Sequence, residues 1–67
     1  MDVAVIIINY NSSKYTLECI NTVIEKTSEK IEYQIIVVDN NSTALEYKIL
    51  EDNFPQLPNI SLHRSII

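Results

Sequence analysis

Glycine and tryptophan are absent from the 67-residue sequence, and cysteine and histidine occur once each, as Cys19 and His63. Without glycine there is neither a glycine-rich phosphate loop nor a Gly-x-Gly-x-x-Gly dinucleotide fingerprint, because both need backbone that glycine alone allows. A single cysteine excludes an intrachain disulfide, and one cysteine with one histidine excludes the common zinc frameworks. For so short a chain, association or a remainder of the protein outside this sequence is the expected source of added stability.

Positive charge is also scarce, with five basic residues scattered along a chain of net charge −4. This balance disfavours a nucleic-acid partner, which needs a positive field over the phosphates. The apolar run over residues 3–8 is far shorter than the roughly 20 residues that span a bilayer, and no basic segment or cleavage site makes it a signal peptide. We therefore expect a cytoplasmic protein without a transmembrane segment.

Three segments are predicted to be β-strands. Residues 3–8 and 35–38 are continuous apolar runs rich in β-branched side chains, which is typical of strands covered on both faces in parallel sheets. Residues 60–63 alternate between apolar and polar side chains, which favours a half-covered strand at a sheet edge. These segments supply the strands of a small sheet.

Two helices are predicted between the strands. Apolar side chains recur at helical spacing over about residues 14–26. Thr43 and Glu46 have the spacing of a capping box, which predicts a second helix over about residues 44–53. The side chains expected to face inward are Leu17, Cys19, Ile20, Val23 and Ile24 in the first helix and Leu45, Ile49 and Leu50 in the second, with Cys19 interpreted as a small buried hydrophobe.

The predicted fold class is α/β, with the order β-α-β-α-β and a three-stranded parallel sheet. Parallel crossovers are right-handed in nearly all known cases, so winding in one direction gives the strand order 3-2-1 with both helices on one face. The opposite face is then bare, although the first two strands are apolar on both faces, and the first strand has an unpaired edge. We interpret this as an incomplete Rossmann-like sheet that lacks half of its core.

Polar clusters follow the first two strands, at the sheet edge where open α/β proteins collect ligands. They are 9–11, Asn-Tyr-Asn, and 39–42, Asp-Asn-Asn-Ser. A tyrosine ring can flank a base or a sugar, and amides and a carboxylate can bind base N–H or ribose hydroxyl groups. The alternative is that these are ordinary turn and cap residues, with Tyr10 a packed aromatic. No nucleophile–base pair is visible, and a lone carboxylate makes a poor magnesium site.

Three stretches together resemble the start of family 2 glycosyltransferases of the GT-A fold. They are 5–11, 17–23 and 35–43, and the resemblance covers nearly the whole chain. The pairing of Asn-Tyr-Asn with a later Val-Val-Asp-Asn-Asn-Ser is its most specific part. The sequence departs from the family in having Ala44-Leu45 where Asp-Gly is common. The resemblance implies that residues 1–67 are an N-terminal, nucleotide-sugar-binding fragment of a GT-A domain.

The resemblance also implies a ligand, a uridine or deoxythymidine diphosphate sugar. Tyr10 then matches the residue whose ring lies against the base, and Asp39 matches the acid that contacts base or ribose, with Asn9, Asn11 and Asn41 around the pocket. The full-length family is expected to hold Mg²⁺ or Mn²⁺ on an Asp-x-Asp motif and to carry an acidic base. Neither lies in this sequence, so we assign it no cofactor, no metal ligand and no catalytic residue.

Three functional hypotheses follow. The first is the donor nucleotide-sugar-binding part of a glycosyltransferase, inactive as this short chain. The second is a non-catalytic remnant that persists as a homo-oligomeric α/β module, associated through the bare sheet face or the edge of the first strand. The third is another kind of nucleotide-binding α/β module.

Overall fold

The computed structural model describes residues 2–65, which form three parallel strands and two helices in the predicted order. This confirms the α/β class. The elements are β1 (Val3–Asn9), α1 (Ser13–Lys26), β2 (Tyr33–Asn40), α2 (Ala44–Asn53) and β3 (Ile60–Ser65). Each strand continues beyond its last predicted residue into polar residues, because backbone pairing does not stop where the aliphatic side chains end.

The sheet has the order β1-β2-β3, with β2 between its two parallel neighbours. In the register of the first pair Asn9 is the partner of Asp39, and in the second pair Asp39 is the partner of Arg64. These three residues therefore form one row across the carboxyl edge of the sheet. Side chains opposite each other in a sheet point to the same face, so the row belongs to one face.

The core lies against one set of alternating strand residues, which we call the buried face. Ile35 and Val37 of β2 are fully buried there, and they cluster with Ile20 of α1 and Leu50 of α2. The remaining members of the core and its partly buried surroundings are Val5, Ile7, Leu17, Val23, Ile24, Tyr33, Phe54, Ile60 and Leu62. Both helices thus contribute a side chain to the cluster that contains the centre of β2.

The alternate strand residues form the open face. Ile6 and Ile8 of β1 are 64% and 60% exposed, whereas Ile36 and Val38 of β2 are half-buried between their neighbours. Residues of the same apolar type therefore have very different surroundings on the two sides of one strand pair.

Two predictions about the inward helix faces are wrong. Cys19 is exposed, because it lies about 100° around the helix axis from the buried Ile20. Leu45 and Ile49 are 72% and 37% exposed, because α2 turns only a narrow side, centred on Leu50, toward the core. A prediction from the spacing of apolar residues alone therefore overestimates how many side chains of each helix face the core.

Candidate functional site

Asn9 and Asp39 meet at the carboxyl edge, so the two polar clusters lie next to each other as predicted. The Asn9 Nδ2 donates a hydrogen bond of 2.8 Å to Asp39 Oδ1, and neither side chain is exposed to solvent. The Asn9 Oδ1 accepts from the Thr16 hydroxyl at 2.6 Å and from the Ser12 hydroxyl at 3.4 Å. The buried amide therefore joins β2 to the first turn of α1.

Ser42 completes the interior of this network. Its hydroxyl donates to Asp39 Oδ1 at 2.6 Å, and its backbone N–H donates to Asp39 Oδ2 at 3.1 Å. The same hydroxyl oxygen accepts from the Asn11 backbone N–H at 2.9 Å and lies 3.3 Å from the donating Asn9 Nδ2. Among residues 2–65 no buried side-chain nitrogen or oxygen lacks a hydrogen-bond partner, so the network is fully satisfied.

The loops that follow β1 and β2 are bonded to each other at the surface as well. The Thr43 backbone N–H donates to Asn11 Oδ1 at 2.9 Å. Asn11 and Asn41 have positive φ, 46° and 57°, the left-handed conformation that glycine and asparagine adopt most readily. In a sequence without glycine, asparagine thus supplies the left-handed residue in each of the two loops.

Glu46 connects the two helices where both begin. The Thr43 hydroxyl accepts from the Glu46 backbone N–H at 3.4 Å, which places the start of α2 at the predicted cap. The Glu46 carboxylate, however, accepts from the Ser13 backbone N–H at 3.1 Å, and the Glu46 carbonyl accepts from the Ser13 hydroxyl at 2.6 Å. Because the Ser12 side chain makes no cap hydrogen bond, this carboxylate satisfies a free donor at the start of α1.

Arg64 forms the third part of the row. Its Nη2 donates to the Ser42 carbonyl at 3.2 Å, and its Nε lies 3.9 Å from Asp39 Oδ2. The guanidinium carbon lies 4.4 Å from the centre of the Tyr47 ring, a cation–π distance. The guanidinium thus touches the end of β2, the loop after it and the first turns of α2.

The Asp39 carboxyl group is held in its ionised form. Burial is the largest influence on its pKa and acts to raise it, whereas hydrogen bonds from Ser42 and Asn9 and the charge of Arg64 act to lower it. The hydrogen bonds and the charge of Arg64 together outweigh the effect of burial, so the pKa of Asp39 lies below its ordinary value of 3.8. Asp39 is therefore an anion at neutral pH whose oxygens already accept hydrogen bonds.

The five residues predicted to surround a nucleotide divide into two groups. Asn9 and Asp39 form the buried interior, whereas Tyr10, which is 60% exposed, and the amides Asn11 and Asn41 lie at the surface. The interior group fixes the two loops, and the outer group is accessible to a ligand.

The residues at this edge do not fit a divalent metal ion. Both oxygens of Asp39 are engaged by protein donors, and the Glu46 carboxylate accepts from Ser13. Within the described part of the chain, no three His, Cys, Asp or Glu side chains are grouped to hold a metal ion. A hard cation needs several free oxygen ligands, which these residues do not provide.

Sequence reasoning missed the supporting residues Thr16, Glu46 and Arg64 as parts of the site. Arg64 was missed because β3 was predicted to end at residue 63, one residue before the row. The sequence does contain an indication of its position. In a strand every second residue lies on the same face, so position 64 shares the face of Ile60 and Leu62. No local pattern marks Thr16, and the capping-box pattern of Glu46 does not indicate its contacts with Ser13 of the other helix.

A shallow cleft lies at the opposite, amino edge of the sheet. Its lining residues are Glu32, Tyr33, Gln34, Pro58 and Asn59. It contains no convergent set of buried polar groups like that of the carboxyl edge, so we regard the carboxyl edge as the candidate site.

None of the helices in residues 2–65 has the length and apolar character to cross a membrane.

A family model described as glycosyl transferase family 2 matches residues 4–65, nearly the whole chain. No curated protein and no solved structure matches it. The matched range includes both loops of the carboxyl edge and the Asn9–Asp39–Arg64 row.

Proposed function

The chain belongs to glycosyl transferase family 2, and from this premise we propose that its carboxyl edge binds the nucleotide part of a nucleoside-diphosphate-sugar donor. The ligand is a uridine or deoxythymidine diphosphate sugar, the class that the family resemblance implies. The observation that supports this most is the buried Asn9–Asp39–Ser42 network, which joins the loops after β1 and β2.

The network favours a binding site because it removes flexibility from two loops that carry exposed ligand-type side chains. Binding costs less free energy when the contacting groups are already ordered. A fully satisfied network of buried polar groups also makes the loops that it joins more rigid, which supports a preformed binding surface.

Each outer residue has a proposed role. The Tyr10 ring packs against the base, since its 60% exposure leaves an aromatic face free. Asn11 and Asn41 offer amide groups to the base or ribose hydroxyls. Asp39 and Asn9 act from within the protein, because both are fully buried and their polar atoms bond to Thr16, Ser42 and each other.

We further propose that the 67-residue chain does not transfer sugar by itself. A general base must accept a proton, and the low pKa and occupied oxygens of Asp39 make it a poor one. Activity of the family then requires residues other than those of the carboxyl edge, including the ligands of any Mg²⁺ or Mn²⁺.

The proposed layout is that of half a GT-A sheet, read as 3-2-1 from β3, with both helices on one side. The shared core cluster of Ile20, Leu50, Ile35 and Val37 supports the placement of the helices. The exposure of Ile6 and Ile8 supports an uncovered second side.

A calorimetric titration with uridine diphosphate and deoxythymidine diphosphate, with and without Mn²⁺, tests the proposal. We expect saturable binding that does not require the metal. Tyr10→Ala is expected to weaken it about tenfold, a loss of one stacked ring. Tyr15→Ala is the matched control, because Tyr15 is also largely exposed, at 72%, but lies in α1. Absence of binding, or equal losses in both variants, contradicts the proposal.

A second candidate function is that of a homo-oligomeric module without catalytic activity. It is favoured by the exposed Ile6 and Ile8 and by the position of β1 at the sheet edge, with no charged residue from Val3 to Asn9. Open apolar edges of this kind pair readily. Sedimentation at several concentrations tests it: a concentration-dependent dimer that Ile6→Lys abolishes is expected, and a monomer at all concentrations contradicts it.

A further inference from the structure

We propose that Arg64 is a positioning residue of the donor site: it holds the loop after β2, residues 41–43, in the conformation that presents Asn41 to the nucleotide. The inference rests on the proposed function, because it assigns a role within that same site. It extends the site to the third strand, which carries none of the residues expected from the sequence.

The register of the sheet places Arg64 where it can do this. Asp39 has Asn9 as its partner on one side and Arg64 on the other, so amide, carboxylate and guanidinium stand side by side. Asn9 ties the carboxylate to the loop after β1 and to α1. Arg64 makes the corresponding contact with the carboxylate from the β3 side. Of the three residues in the row, it alone is exposed to solvent, with 40% of its side chain accessible.

Ser42 shows what the arginine holds. The Ser42 N–H and hydroxyl both donate to Asp39, while its carbonyl accepts from Arg64 Nη2 at 3.2 Å. The residue is therefore fixed on the amide side by the carboxylate and on the carbonyl side by the guanidinium. Asn41 directly precedes it with a φ of 57°, a left-handed conformation that asparagine tolerates better than other non-glycine residues.

The shape of the guanidinium suits this role. Arginine offers several N–H donors in a rigid planar fork and also packs on aromatic rings, whereas lysine is a compact point charge. Arg64 uses these properties together: one donor on the Ser42 carbonyl, Nε facing the Asp39 carboxylate, and the carbon centre 4.4 Å from the Tyr47 ring. Lysine can retain the charge but cannot reproduce the set of contacts.

The test compares Arg64→Gln and Arg64→Lys with the control Lys48→Gln. Lys48 is exposed and pairs with Asp52 at 3.4 Å on α2, so the control removes one positive charge without touching the row. Two quantities are measured on the full chain: amide hydrogen exchange of Asn41 and Ser42, by NMR without ligand, and the dissociation constant for uridine diphosphate.

We expect Arg64→Gln to speed Ser42 exchange about tenfold relative to Val37 in the sheet centre, and to weaken nucleotide binding about fivefold or more. Arg64→Lys is expected to recover only part of either quantity, and Lys48→Gln to change neither. A general loss of stability in Arg64→Gln would give a different result, because it would raise the amide exchange rate of Val37 as well as that of Ser42.

Two results overturn the inference. One is unchanged exchange of Asn41 and Ser42 in Arg64→Gln, which decides the matter without any nucleotide. The other is faster loop exchange with unaltered nucleotide affinity, which makes Arg64 a local support without a role in binding. Failure of the wild-type chain to bind uridine diphosphate is distinct, since it overturns the proposed function and the donor-site part of the inference together.

Discussion

The two faces of the sheet carry similar aliphatic side chains in opposite surroundings. Ile35 and Val37 on the buried face have no exposed surface, while Ile6 and Ile8 on the open face are largely exposed. On the buried face the aliphatic rows end in polar groups, Asn9 and Asp39, that are equally buried. The buried face is the one whose side chains cluster with Ile20 of α1 and Leu50 of α2, and the candidate site lies where the strands of that face end in polar residues.

The largest effect is expected from removing an apolar side chain of the buried core. Leu50→Ala should lower the free energy of unfolding by about 3 kcal/mol, because it leaves a cavity between α2 and the sheet. Leu45→Ala, in the same helix but 72% exposed, should change it by less than about 0.5 kcal/mol. Urea unfolding followed by circular dichroism measures both, and equal losses would mean that α2 does not pack through Leu50.

A somewhat smaller loss is expected from the polar end of the buried face. Asp39→Ala leaves the Ser42 N–H and hydroxyl without their acceptor and removes the 2.8 Å bond from Asn9 Nδ2, and the free energy of unfolding should fall by about 2–3 kcal/mol. His63→Ala is the control, since His63 lies on β3 beside the row, is exposed and bonds only to Ser61 in the described structure. Comparable stability of the two variants would show that the network contributes nothing to folding.

The pH dependence of stability should reveal the Asp39 network. Its pKa is lowered in the folded protein from the ordinary value of 3.8, so its stabilising effect is complete above that value and is lost as pH falls through the lower folded value. The difference in unfolding free energy between the wild type and Asp39→Asn should therefore be constant near neutrality and shrink below about pH 4. A difference that grows on acidification contradicts a lowered pKa.

The smallest effect is expected in the loop that carries Asn41. With its φ of 57°, Asn41→Ala should cost about 1 kcal/mol, because alanine disfavours the left-handed conformation. Asn41→Gly should keep the stability within about 0.5 kcal/mol of the wild type, since glycine adopts that conformation freely. Thermal unfolding of both variants measures the contrast, and an equal cost for both would place the loss in the side chain rather than in the backbone.

The order of elements could be predicted from the sequence because apolar periodicity and turn residues agree along the chain. Strand ends could not, because β1 and β3 run on through Asn9 and Arg64, whose side chains do not resemble strand interiors. Their pairing comes from the backbone ladder with β2, which is a tertiary property. The same limitation explains Cys19 and Leu45, whose exposure depends on where each helix contacts the sheet.

The position of the candidate site in the fold could be predicted from the sequence, but the hydrogen-bond network within it could not. Strand-end polarity placed Asn9 and Asp39 together, since carboxyl ends of adjacent parallel strands meet at one edge. The part played by Glu46 was hidden, because its local pattern fits a cap on its own helix while its carboxylate satisfies Ser13 of the other. The contact of Arg64 with Ser42 required the register of β3, which no short motif encodes.

The claim that the carboxyl edge binds the nucleotide is tested most directly by NMR mapping on ¹⁵N-labelled protein titrated with uridine diphosphate. We predict that the amide signals of Tyr10, Asn11 and Asn41 shift progressively to saturation, while those of Tyr33 and Asn59 at the amino edge stay in place. Shifts confined to the amino edge, or no shifts at any concentration, would contradict it.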